Sequence, residues 1–114
     1  MNDCIFCKIA NKEIPADVVY EDETVIAFKD IKPHAPTHVL VMPKKHIKNI
    51  LTFNKDDAKI LSDVVLAIQK VAEMTGVDRK GFRIINNCGH DAGQTVEHVH
   101  FHVLGGEFFG EKLV

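Results

Sequence analysis

The segment His98-Val99-His100-Phe101-His102-Val103-Leu104 limits what this chain can become more than any other stretch. Its polar and apolar residues alternate with a period of two, the repeat of a β-strand, which sets three imidazoles on one face and Val99, Phe101 and Val103 on the other. The pattern predicts a strand from His98 to Leu104 with one face for packing and one for chemistry. A single histidine in such a strand is ordinarily a surface polar residue, but three in register are not explained that way.

One catalytic zinc held by all three rings is the first alternative, and geometry weighs against it. A strand rises about 3.3 Å per residue, so the first and third histidines start roughly 13 Å apart, whereas zinc holds its nitrogens at about 2 Å. The three are better read with separate jobs: His100 presented to a substrate, and its neighbours fixing position or protonation. A neutral imidazole is a competent nucleophile toward phosphorus and forms a phosphoramidate-type intermediate. The attacking nitrogen is set by what the other one bonds, either a backbone carbonyl or the neighbouring His102.

The loop ahead of this strand, Asn87-Cys88-Gly89-His90-Asp91-Ala92-Gly93-Gln94-Thr95, carries glycines that let backbone amides turn toward an oxyanion. Alone it reads as a turn, and it lacks the Gly-Lys-Ser/Thr ending of a nucleotide P-loop. Its position beside His100, where negative charge gathers on a phosphoryl oxygen, makes it a candidate phosphate cradle.

The remaining elements follow from local signals. Residues 3 to 14 form a short helix or turn ended by Pro15. Val18–Tyr20 and Thr24–Phe28 read as antiparallel strands joined by Glu21-Asp22-Glu23, and Thr37–Met42 as a third strand stopped by Pro43. Apolar residues at 60, 61, 64, 65, 68, 71 and 72 have helical spacing, predicting a helix between Lys55 and Thr75 with Asn54 as N-cap and Gly76 past its end. Gly81–Asn86 is a fourth strand. Strands gathered around one long helix, without regular alternation, argue for an α+β domain with an antiparallel sheet.

Composition excludes several classes. A chain of 114 residues, 46% hydrophobic and 26% charged, has the size and balance of one globular domain, taken here as 1–114. With a formal charge of -2 and no basic run, polymeric nucleic acid is a poor partner, although small anions stay open. No segment has the length of a signal peptide's apolar core, beginning from Met1-Asn2-Asp3-Cys4, or of a membrane span, so no membrane is implied and a cytoplasmic location is expected. Cys4 and Cys7, two residues apart, can bite one zinc with two further ligands from elsewhere. A redox pair and two plain core cysteines are the competing readings, and Cys88 is left over.

His98-Val99-His100-Phe101-His102-Val103-Leu104 resembles the histidine-triad motif of the HIT superfamily. The resemblance extends through Ile5-Phe6-Cys7-Lys8-Ile9, Glu13-Ile14-Pro15-Ala16, Ala35-Pro36-Thr37-His38, Pro43-Lys44-Lys45-His46 and Gly93-Gln94-Thr95-Val96, and is similar to the Hint branch, the histidine-triad nucleotide-binding proteins. It implies an α+β fold of about five antiparallel strands with one long and one short N-terminal helix, the sheet continuing across a homodimer. It also implies a nucleotide hydrolase, or phosphoramidase, that cleaves purine nucleoside phosphoramidates or related AMP esters at the α-phosphate through a nucleotidyl intermediate on His100, with His98 and His102 completing the catalytic triad. A nucleotide-binding or scaffold module with incidental hydrolysis is the alternative.

The same resemblance assigns Asp30 to the ribose hydroxyls and Phe6, Ile14 and Ile31 to the surroundings of base or sugar. Asn87, Gly93 and Thr95 match positions around the phosphate, and Gln94 is counted with them, as are His100 and His102. Some members bind a structural, non-catalytic zinc through the two cysteines and two histidines, which here implies Cys4, Cys7, His46 and His98. The sequence departs from the Hint pattern after Gly106 and has no Trp, so altered leaving-group selectivity is expected. His90 receives no role.

Overall fold

The computed structural model describes residues 3–114; Met1 and Asn2, the start of the segment read above for a signal peptide, lie outside it. In chain order the elements are α1 (Ile5–Ala10), β1 (Val18–Glu21), β2 (Val25–Lys29), β3 (Thr37–Pro43), α2 (Ala58–Thr75), β4 (Phe82–Ile85) and β5 (Phe101–Gly105). The strands form one sheet in the order β1-β2-β3-β5-β4, with every neighbouring pair antiparallel. The α+β architecture expected from the sequence is the one observed.

β3 is central and buried from His38 to Pro43, so it reads as a continuous apolar run, with both faces covered. One face, through Val25, Ala27, Val39, Val41, Phe101 and Val103, packs on Val64, Ala67, Ile68, Val71 and Ala72 of α2. The other, through Ile26, Phe28, Leu40 and Met42, packs on Phe6 and Ile9 of α1. Each fully buried aliphatic side chain contributes about 1.5–3 kcal/mol, so both faces are strongly held.

Four local expectations need correction. α1 stops at Ala10, well before Pro15: the Asn11 N–H bonds back to Cys7 O, and Lys12 takes a left-handed φ of 65° that turns the chain away. Asn54 caps a 3₁₀ turn over Lys55–Asp57, accepting from the Asp56 N–H at 2.8 Å, and α2 begins only after it. Gly76 does end α2, with φ 83°. The apolar stripe of α2 is narrower than its spacing suggested, since Leu61 and Val65 stay exposed on its flank.

The fourth correction concerns the histidine strand. The ladder of β5 begins at Phe101, because the backbone of 98–100 sends its hydrogen bonds elsewhere: Val99 N–H to Ile47 O at 2.7 Å, while His98 O and His100 O accept from side chains. The histidine-bearing face is largely covered, for His98 and His100 are buried and His102 is half-buried.

At its far end β5 closes on Gly105, where a Cβ would lie 2.6 Å from Val77 Cγ1; only glycine lets the chain leaving α2 cross so near. Beyond it the tail is pinned by Arg83, which donates to Gly110 O at 3.0 Å and Lys112 O at 2.6 Å and lies over the Phe109 ring. A cavity of about 760 Å³ under this tail shares no lining residue with the histidines.

Candidate active site

His100 and His102, with Asn87, Gly93, Thr95, His34, His38, Ile85 and Leu104, line a cavity of about 330 Å³ on the α1 side of the sheet. Sheet register explains the placement. His102 stands opposite Leu40 on β3 and Ile85 on β4, so its side chain shares their face, and His100 continues that face toward α1. The Phe6 ring stands edge-on to His100 with centroids 4.9 Å apart, packing α1 against the imidazole without itself lining the cavity.

The hydrogen bonds fix where each proton sits. A carbonyl only accepts, so the 2.8 Å contact between His100 Nδ1 and His98 O puts the His100 proton on Nδ1 and leaves the Nε2 lone pair free. The His34 N–H donates to His38 Nδ1 at 3.0 Å, so the neutral His38 ring carries its proton on Nε2 and donates to His102 Nδ1 at 2.8 Å. His102 therefore carries its own proton on Nε2. Asp30 Oδ2 lies 3.4 Å from the same His38 nitrogen, while Asp30 Oδ1 accepts from the Lys32 N–H.

Burial keeps these rings neutral. Loss of solvent pushes the pKa values of His38, His98 and His100 below the usual imidazole range, and that of His102 down to about 4, where the neighbouring His100 and His38 add to the effect. The cavity thus holds, on rings 5.2 Å apart, one imidazole offering a lone pair and one offering an N–H. That pairing suits attack on an electrophilic phosphorus with a donor for the charge that develops beside it.

His98 is employed differently. Its Nε2–H donates to Pro43 O at 2.7 Å, which turns the Nδ1 lone pair toward Cys4 Sγ at 3.4 Å and Cys7 Sγ at 3.5 Å. His46 Nδ1 lies 3.2 Å from Cys7 Sγ. A tetrahedral zinc with bonds of about 2.3 Å to sulfur and 2.0–2.1 Å to nitrogen sets sulfur and nitrogen about 3.6 Å apart, so spacing, donor set and tautomer all fit that ion. The four ligand atoms lie within 4.8 Å of one another, and the Nε2–H···O bond of His98 is the outer contact that holds a ligating imidazole in place.

Other sequence-predicted residues distribute unevenly. Ile14 is only partly buried against the α1 cluster and does not line the cavity, and Ile31 is 93% exposed. Gln94 is occupied by backbone groups: Oε1 accepts from the Gly89 N–H at 2.8 Å, and Nε2 donates to Val96 O and, outside the loop, to Lys48 O. His90 is exposed beside Asp91, and Cys88 is half-buried in the same loop. His38 and Asn86 were not assigned roles from sequence: His38 meets His102 across a long-range strand pairing, and Asn86 Nδ2 donates to His100 O at 2.9 Å.

Comparison with known proteins agrees with this architecture. The HIT domain family pattern matches residues 11–109. A purine nucleoside phosphoramidase of Escherichia coli is 40% identical over 109 residues, covering 96% of this chain and 92% of that one. A HIT family hydrolase from Clostridium thermocellum superposes with a TM-score of 0.97 at 52% identity, covering 100% of this chain and 99% of that one. A histidine triad protein from Clostridium difficile gives 0.93 at 48% identity, covering 98% and 97%. The chain belongs to the HIT domain family.

Proposed function

We propose that the protein is a nucleoside phosphoramidase, a nucleotide hydrolase that opens P–N or related P–O bonds at the α-phosphate of purine nucleotides such as adenosine phosphoramidates. The observation that carries this is the division of protons in the cavity, with a free Nε2 lone pair on His100 beside the Nε2–H of His102. His100 Nε2 attacks phosphorus; the P–N bond breaks with its electron pair on the amine, which takes a proton from solvent. Water then attacks the nucleotidyl-His100 phosphorus, the P–Nε2 bond returns its pair to the imidazole, and AMP leaves with release of a proton. His102 donates a hydrogen bond where charge gathers, oriented by His38. His98 serves through its carbonyl, which sets the His100 tautomer.

In this reading Asn87, Gly93 and Thr95 hold the phosphate, and Gln94 shapes their loop. Asp30 takes the ribose hydroxyls, with Phe6, Ile14 and Ile31 near base and sugar; the exposure of Ile31 leaves an apolar surface for a base to cover. Cys4, Cys7, His46 and His98 hold a structural zinc, which when bound cross-links α1 to the histidine segment and adds folding stability. The whole chain, 1–114, forms one HIT domain. It pairs as a homodimer, supported by the open edge of β4, the half-exposed Ile84 on it, and the apolar flank of α2. Among the described residues no helix is long and apolar enough to cross a membrane, which accords with action in the cytoplasm.

Rapid quench of the protein with an adenosine phosphoramidate tests the assignment. Nucleotide is expected to be trapped on His100, and a His100→Ala protein that hydrolysed the substrate at full rate would overturn it.

A further inference from the structure

Two connections hold His100. Its ring is fixed by the Nδ1–H bond to His98 O, and its carbonyl accepts from Asn86 Nδ2 at 2.9 Å. The second contact replaces something missing. β4 and β5 pair from Phe82↔Gly105 to Ile85↔His102 and no further, so the ladder stops just short of the nucleophile. The next residue on that side is Asn86, and its carboxamide reaches across as a side-chain rung.

We propose that Asn86 is a positioning residue for the nucleophile: by tethering the His100 carbonyl to the end of β4, it holds the backbone at the height where the ring's Nδ1 meets His98 O and Nε2 faces the cavity. The inference rests on reading His100 as the attacking group. A ring with both its backbone and one nitrogen fixed has little freedom left at χ1 and χ2, which is what near-attack geometry demands. Asn87, next along the chain, lines the cavity, so adjacent asparagines divide the work between nucleophile and substrate.

Asn86→Asp is the decisive variant, since it keeps the shape and replaces the donor NH₂ with an acceptor oxygen; Asn86→Gln keeps the donor. Three readouts apply: single-turnover transfer of nucleotide to His100, steady-state KM, and the ¹⁵N shifts of the substrate-free His100 ring. Asn86→Asp is expected to slow transfer about 10- to 100-fold with KM held within about twofold, and to move the ring from one tautomer to a mixture. Asn86→Gln should recover part of the rate. Unchanged transfer and unchanged ring shifts in Asn86→Asp would overturn the proposal, as would a loss confined to KM.

Should Asn86→Asp fail to fold, hydrogen exchange on the unaltered protein decides: the Asn86 carboxamide should exchange much more slowly than that of exposed Asn11, and equal rates would refute the tether. If the unaltered protein traps no nucleotide on His100, the proposed activity falls, while ring shifts and exchange still judge the role of Asn86.

Discussion

The two faces of the sheet are built to different rules. Against α2 the buried cluster is aliphatic and aromatic, closed by Val64, Ile68 and Val71, and the Tyr20 ring packed at its margin turns its hydroxyl out to Asp22. Against α1 the apolar cluster covers only part of the sheet, and the rest is taken by imidazoles, each with a fixed hydrogen-bond partner. The first face gains stability from area alone. The second surrenders some of that gain to hold neutral histidines in defined tautomers, so position on it is specified by hydrogen bonds.

That contrast breaks most visibly at His100. His100→Ala is expected to lower turnover by about 10³-fold or more while leaving Tm nearly unchanged, measured by steady-state kinetics and calorimetry on the same sample. A large fall in both would mean that the face is a core like its opposite. Metal removal comes next: chelation should cost more than about 4 kcal/mol of stability, read by urea unfolding, because the Cys4, Cys7, His46 and His98 cluster stands where α2 supplies packing on the other side. Ile68→Ala, on the α2 face, should cost about 3 kcal/mol and leave kcat per folded molecule intact.

Acid sharpens the comparison further. The folded His102 has its pKa pushed from the ordinary 6.5 to about 4 by burial, so between those values the unfolded chain binds a proton that the folded one refuses. Stability is thus full above about pH 6.5 and falls as the pH drops toward 4, by an order of 1–2 kcal/mol once solvent screening of this partly buried ring is allowed for. His102→Gln should flatten that slope in denaturant titrations, whereas Ile68→Ala should lower the whole curve without changing its shape. The smallest effect belongs to neither face: Lys59→Ala removes an exposed pair with Asp63 and should change stability by less than about 0.5 kcal/mol.

Much of this was legible in the sequence where the cause is local. Runs of β-forming residues bounded by turn and proline signals marked β1 to β3, the spacing from Ile60 to Ala72 marked α2, and the histidine alternation drew attention to His98, His100 and His102. What escaped depends on partners distant in the chain. His38 becomes the orienting neighbour of His102 only when β3 lies beside β5, and Asn86 acquires meaning only where the β4–β5 ladder runs out. Pro15 looked like the stop of α1, yet the left-handed Lys12 turns the chain first, its side chain paired with Glu21 of β1. Gln94 was counted with the phosphate positions from its place in the loop and the resemblance, while its amide is spent on the carbonyls and amide of its own surroundings.

Gly105 has a consequence for how such a chain tolerates change in length. Because Val77 occupies the space that a Cβ would need there, β5 can seat against the turn after α2 only where it carries a glycine. An insertion between His98 and Gly105 would bring Leu104 to the crossing, where its side chain has no room; a deletion would bring Gly106, which fits there. Either shift exchanges imidazole for valine or phenylalanine in the cavity. The tail beyond Gly106 has no such mark, so length variation should accumulate there and be purged only a few residues earlier.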